Sequence, residues 1–489
     1  MSTSLARTTD RRKLLTSGLA AGLFAASGLS IAMRPQVGGR LRAVLPGGSF
    51  SDSWDARKGF GLFMAAAAQG AVFDCLTEVG SDGALRGELA TGWEASRDAK
   101  LWTFDLRDEV RFHDGAAFDA ASVVDTIRMH IAAGPAGAAW HLVSNIASVR
   151  ATSTTQVQFQ LNAGNADFPY LLSDRHLIIY PAGRIAEAMR EGIGTGLYRV
   201  ALLEPGERFL GWRVSDHYRD GSAGWFDQIE FLAVESAEQR LELLQSGRVD
   251  TAAQIDPVSA QNVELSTELN LFSTPGNQHV VMDAGAIPSA DVRQALKLAI
   301  DRDAMLIDGL HGHGHVGHDS PVGPFNQYYQ MTGSDYDPDQ SLFLLEKAGF
   351  KGLNLGLTPL SSAPLGLVSP ILPALRKAGF GVGDGVTVPM RLSSGRATED
   401  WTFGAMNAVS DGVKTVSNLQ EMARSEMDPS RRAALYAELQ DTFRATGPVV
   451  IPAFANFLHA VRKGVASPEI MGNLWPMDNA RFAERWWMS

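Results

Sequence analysis

The sequence predicts a mixed α/β protein with at least two lobes. Its 489 residues exceed what one compact core usually holds. Strand-like and helix-like segments alternate along it, and they show no fixed repeat of the kind that builds a solenoid. The composition is globular, 45% hydrophobic and 20% charged. A net charge of −11 without clustered Lys or Arg disfavours nucleic acid as a partner.

In chain order, Arg11 and Arg12 precede an apolar run from Leu14 to Met33, and Ser30-Ile31-Ala32 forms a small-x-small cleavage pattern. The run is short and Gly-rich, so it reads as a removable signal peptide cleaved after Ala32 rather than a transmembrane helix. Asp10-Arg11-Arg12-Lys13-Leu14-Leu15 resembles a twin-arginine export signal, with Leu14 where Phe is commoner. A general secretory signal with an incidental Arg pair is the alternative. Either leader implies export to the periplasm, and no cysteine follows the run to take a lipid anchor. The sole cysteine, Cys75, lies among Val72, Phe73 and Leu76 and reads as a small buried hydrophobe.

Trp102, Phe104 and Leu106 share one face of a predicted strand, as do Val157, Phe159 and Leu161. Val110 and Phe112 alternate next, and Asp114-Gly115 closes that stretch as a turn, with His113 a hydrogen-bonded turn residue rather than a catalytic one. Asp119 caps a helix carrying Val123, Val124 and Ile127. Ser236 with Gln239 makes a capping-box pattern, and Gly247 ends that helix. Ser289 opens a helix with Val292, Leu296, Ala299 and Ile300 on one side, expected to end near Gly309. Asp301-Arg302 reads as a structural ion pair. Asp428-Pro429 starts the last long helix, with Leu435, Leu439 and Phe443 facing inward.

Seven of these stretches, in order, resemble the peptide/nickel-type family 5 of periplasmic solute-binding proteins of ABC importers. They are Leu89-Ala90-Thr91-Gly92-Trp93-Glu94; Trp102-Thr103-Phe104-Asp105-Leu106-Arg107; Val110-Arg111-Phe112-His113-Asp114-Gly115, with Glu109 where Gly is usual; Gly194-Thr195-Gly196-Leu197-Tyr198, with Leu197 for Pro; Leu244 to Asp250; Val292 to Arg302; and Tyr336-Asp337-Pro338 through Ala348-Gly349-Phe350. The resemblance implies a two-lobed periplasmic binding fold of the large cluster C type, with an extra subdomain in lobe I. Lobe I then spans 33–270, with an inserted subdomain at about 58–190 and a C-terminal return at 466–489. Lobe II spans 275–465, and the crossings fall near Ser273-Pro275 and Arg462-Ser467. The resemblance implies a monomeric, non-enzymatic binder without cofactor, which closes on a peptide or similar small solute and serves the membrane subunits of an ABC permease.

Candidate solute contacts follow from position. Trp54, beside Phe50, offers a stacking face or a core residue. Asp283 stands where relatives carry "fNt". His313, Asp319 and Asn326, with Tyr328 and Tyr329 beyond, lie in and after a Gly-rich loop that relatives place near the interlobe cleft. His311, His313, His315 and His318 lie close enough together to suggest nickel, zinc or copper, or a metal complex, as ligand. The same loop spells GxGxxG, but it follows a helix and runs into Pro321, so it is no dinucleotide fingerprint. Trp401, Met406 and Asn407 resemble the family strand that leads to the ligand-facing segment, with Met406 where Trp is usual. After Asp411 about thirty residues that relatives carry are missing, judged against ordinary element lengths. An exported metal-dependent hydrolase is the competing class, but the chain lacks GxSxG, HExxH and CxxC. A sensor or chaperone-like protein with an incomplete cleft is the third.

Overall fold

The computed structural model describes residues 35–287, 289–331, 336–359, 365–394, 399–407 and 413–489. The leader, its arginines and the cleavage point after Ala32 lie outside the described residues, as does Asp411. Within them, no helix is long and apolar enough to cross a membrane.

Two long antiparallel strands organise residues 35–489: Leu269–Asp283 and Val449–Arg462. The second is buried at almost every position, as its near-continuous apolar run Val449-Val450-Ile451-Pro452-Ala453-Phe454-Ala455 requires of a strand covered on both faces. To one side the sheet continues through Val386–Ser394, Asn354–Pro359 and Gly381–Val382. To the other it continues through Thr251–Ala252, Arg40–Leu45, Gln228–Ala233, Arg208–Arg213 and Tyr198–Glu204. Gly314–Val316 pairs with Val449–Arg462 off this path. Its neighbour Gly317 packs so closely that a Cβ there would sit 2.3 Å from the Ile451 carbonyl oxygen. Only glycine fits.

Side-chain alternation sends the long strands' residues into two different cores. Val280, Met282 and Val450 face one, with Val292, Leu296 and Ala299. Val281, Val449, Ile451 and Phe454 face the other, with Phe403, Tyr436, Leu439 and Phe443. A further cluster gathers Val44, Leu241, Leu244, Val263, Leu458 and Ala460. The largest core runs from Leu41 to Phe231 and takes in Phe482 and Trp486 near the C-terminus. It includes a separate antiparallel sheet ordered Ala90–Ala95, Leu101–Leu106, Gln156–Leu161, Ile146–Ser153.

The helix starts follow their caps. Asp119 accepts from the Ser122 amide and opens Ala120–Ala133; Ser236 accepts from Gln239 and opens Ala237–Gln245; Asp428 accepts from Arg431 and opens Pro429–Thr446. Gly247 follows its helix at φ 74°. The 112–116 stretch is the expected turn: the His113 ring donates to the Gly196 carbonyl at 2.8 Å, and Asp114 accepts from the Ala116 amide at 2.9 Å. Glu109, where the family pattern has Gly, adopts φ 64°.

Two expectations need correction. The helix opened by Ser289 stops at Ala299, because Ile300 and Asp301 turn extended and Asp301 caps a new short turn by accepting from Ala304. Residues Glu399–Asn407 form a helix, not a strand. Phe403 and Met406, three apart, both enter the same core, a helical spacing.

Candidate functional site

Four of the eight residues chosen from sequence as solute contacts, Trp54, Asp319, Met406 and Asn407, are buried. Trp54 is 2% exposed and packs 5.9 Å from Phe73 and 5.8 Å from Phe209, ring centre to ring centre. It is a core aromatic. Asp319 is fully buried, accepts from Arg302 at 2.7 Å with one oxygen, and accepts the Ile451 amide at 2.9 Å with the other. Arg302 therefore pairs with Asp319, not with its neighbour Asp301, and the carboxylate chosen as a solute contact is spent on scaffold. Met406 is 3% exposed in the core. Asn407 is buried and joins two helices, accepting the Val413 amide at 2.9 Å and donating to Ser417 at 3.2 Å. Trp401 lies in the helix Glu399–Asn407, but its side chain lies outside the described residues.

The histidine loop does not assemble a metal cage. Among the described residues, no three of its imidazoles and neighbouring acids converge on one point. His311 contacts Gln261 at 3.3 Å, and His313 lies 4.0 Å from Glu264. His315 stands edge-on to Phe325 at 4.6 Å, and burial lowers its pKa. His318 sits two residues after Val316, which ends the paired strand. Asp283 closes the long strand and accepts from Gly285 at 2.9 Å. Asn326 holds a turn by accepting from the Tyr328 amide at 2.8 Å. Tyr328 stacks on Tyr436 at 4.5 Å.

These loop contacts are part of a seam between elements of different cores. Gln261 and Glu264 belong to the helix Pro257–Glu264, which packs into the Val44–Leu458 cluster. Farther along, Arg432 pairs with Asp167, both largely buried. Burial opposes the Arg432 charge, but attraction to Asp167, Tyr436 and Tyr328 holds its pKa above the ordinary guanidinium value. The Ala166 amide donates to the Arg424 carbonyl at 2.8 Å alongside. Removing one partner of such a buried pair typically costs about 3–5 kcal/mol.

The densest electrostatic feature was not foreseen. Arg481 donates to both oxygens of Glu88, at 2.7 and 2.9 Å, and to Glu484 at 2.9 Å. Arg485 reaches Glu78 at 2.6 Å and Asp478 at 2.7 Å. Arg219 lies 3.2 Å from Glu484 and 3.3 Å from Glu78. Glu88 and Arg481 are 393 residues apart, so no local pattern could have joined them.

The family model for bacterial extracellular solute-binding proteins, family 5 Middle, matches residues 84–376. The chain is 25% identical over 307 residues to the nickel-binding periplasmic protein of Escherichia coli K12, a match covering 58% of this chain and 56% of that protein. It thus spans little more than half the length of that relative. It is 24% identical over 446 residues to the dipeptide-binding protein of the same organism, covering 77% of this chain and 82% of the relative. Among solved structures, the periplasmic binding protein AgaA from A. tumefaciens R10, in complex with agropinic acid, superposes with a TM-score of 0.77. That match has 21% identity and covers 92% of this chain and 99% of AgaA.

Proposed function

Because the chain belongs to family 5 of the bacterial extracellular solute-binding proteins, we propose that it encloses a peptide or similar small solute between two lobes and hands it to the membrane subunits of an ABC importer. Family 5 proteins bind solutes and are not enzymes, and this chain is such a periplasmic or extracellular binding protein. The lobes are taken as 33–270 with the return 466–489, and 275–465, with the sheet inside 58–190 assigned to the first.

The observation that carries the reading is the pair of long strands. Leu269 packs with Leu458 and Ala460 in one cluster, whereas Val280 and Val450 pack in another. Between them the pairing register slips from Thr274 to Gln278, where Pro275 has no amide to donate. Two connecting strands interrupted between separately packed cores are what a hinge requires, and a solute touching both sides favours the closed state.

The solute class rests on the relatives. One is named a dipeptide-binding protein, and the AgaA complex holds agropinic acid. The metal-complex reading draws on the nickel-binding relative, but the dispersed imidazoles of 311–318 give it no ligand set of its own. With Trp54, Asp319, Met406 and Asn407 committed to the interior, His313, Asn326, Asp283 and Trp401 are left as the proposed solute-facing set. Native mass spectrometry of gently purified protein, followed by thermal shifts with dipeptides to tetrapeptides and with nickel–histidine, tests this. A co-purified peptide or a peptide-specific stabilisation is expected. A response to nickel–histidine alone overturns the peptide assignment, and stability indifferent to the whole panel with no bound solute overturns capture.

A further inference from the structure

Asp74 follows the helical turn Ala68–Val72, Glu88 precedes the strand Ala90–Ala95, and Glu484 lies in the short helix Phe482–Arg485. Each places a carboxylate oxygen within 4.8 Å of the other two, and none is more than 2% exposed. Three carboxylates so close repel one another strongly unless something sits between them.

Their hydrogen bonds are unevenly distributed. Glu88 is committed, to Arg481 through both oxygens and to the Cys75 amide at 2.8 Å. Glu484 is engaged by Arg481 and Arg219 through Oε2. Its Oε1 has no hydrogen-bond partner among the described residues, nor has either oxygen of Asp74. The Tyr218 hydroxyl is also buried without one, and it lies in the field of Asp74, Glu88 and Glu484. Buried orphans of this kind are uncommon and call for a partner.

The surrounding charges come close to balance. Asp74, Glu78, Glu88, Asp478 and Glu484 face Arg219, Arg481 and Arg485. With Arg107, whose guanidinium lies 4.9 Å over the Tyr218 ring, one negative charge is left over, which a single proton cancels and a divalent ion turns into one positive charge. We propose that Asp74, Glu88 and Glu484, with the Tyr218 hydroxyl, bind a hard divalent cation, calcium first among them, which fastens the C-terminal segment to the N-terminal body. All the donors are oxygen, which suits calcium or magnesium and not nickel or zinc. Oxygens on opposite sides of calcium stand about 4.6–5.2 Å apart, against about 4.0–4.2 Å for magnesium. The bound of 4.8 Å on the carboxylate oxygens admits either ion, and calcium is placed first because it tolerates irregular geometry where magnesium demands a near-ideal octahedron. A cavity of about 240 Å³ reaches the site at Glu88 and Tyr218, and Glu78, Arg86, Arg107 and Arg219 also line it.

The competing account is a proton. Burial, with Asp74, Glu78 and Glu484 nearby, pushes Glu88 well above the ordinary carboxylate range despite Arg481, and one protonated acid also relieves the repulsion. The full chain, purified without chelator, is to be assayed for metal by elemental mass spectrometry. It is then melted in EGTA, in CaCl2 and in MgCl2, beside Asp74→Asn. About one calcium per chain is expected, with a calcium-dependent rise in Tm on the order of 5 °C that Asp74→Asn abolishes. If Asp74→Asn does not fold, Glu484→Gln takes its place, and the metal content and chelator response of the wild-type chain decide alone. Absence of stoichiometric metal, an identical Tm in EGTA and calcium, or an Asp74→Asn variant that melts higher than wild type overturns the site in favour of the proton.

Discussion

The two ends of the large sheet are built differently. On the side of Arg40–Leu45, the core between Leu41 and Trp486 surrounds a network of ionised groups drawn from residues about 400 apart in the chain. On the side of Val386–Ser394, the interior is mainly apolar, with the Arg302–Asp319 pair and Lys297 among its buried charged groups and His279, Ser341 and Gln440 among its buried polar ones. The first region therefore depends on charges that are expensive to bury and costly to unpair, the second on local helix packing.

The largest test of the contrast is Arg481→Met. It leaves Glu88 and Glu484 buried against each other, with a loss of about 3–5 kcal/mol in urea unfolding. A loss under 1 kcal/mol would show the network to be replaceable. Asp319→Ala asks the same of the apolar side. It unpairs Arg302 and leaves the Ile451 amide without its acceptor, so about 3 kcal/mol is expected. Solute affinity of the folded fraction should stay unchanged. A selective loss of affinity at full stability would return Asp319 to the solute site.

Acid provides the next test. His130, 1% exposed, has its pKa lowered to about 4 by burial and by His176; His459 is lowered to about 3, again chiefly by burial. Both are neutral in the fold and take up protons near 6.5 when unfolded, so their contribution is complete above pH 6.5 and drains as pH falls towards 4. Each group costs about 1.4 kcal/mol per pH unit in that window. Because neither His130 ring nitrogen has a hydrogen-bond partner among the described residues, His130→Leu should reduce the slope by about 1.4 kcal/mol per pH unit without loss at pH 7. An unchanged slope between pH 6.5 and 5 would mean that His130 is not buried neutral.

The same contrast decides what could be read from sequence. The caps at Asp119, Ser236 and Asp428 were legible because a cap is a contact over three residues. The alternating segments were legible as an α/β class for the same reason, and the seven ordered stretches pointed to the two-lobed fold through resemblance. The charge network was illegible because its partners meet only through the fold. The strand expected at Glu399–Asn407 followed the resemblance, whereas the spacing of Phe403 and Met406 already suited a helix. The histidine loop misled through density alone, since four imidazoles near one another in sequence say nothing about where their rings point. Asp319 was misassigned because a carboxylate in a Gly-rich loop looks available until Arg302 is seen against it.

The smallest expected effect is the most informative about the seam. Glu264 is about half exposed, at 51%, and lies 4.0 Å from His313 across elements of different cores, so solvent screens their attraction and Glu264→Gln should change stability by less than about 0.5 kcal/mol. If the two cores separate when solute leaves, that weak contact forms only in the closed state. Its loss then shows in kinetics and not in melting: solute release measured by stopped flow quickens modestly, by about twofold for each 0.4 kcal/mol. His313→Gln should produce the same change, and the double variant should add little more, because both remove one contact. If release is unaltered in all three, the loop does not take part in closure, and the hinge must be sought nearer the buried Asp167–Arg432 pair.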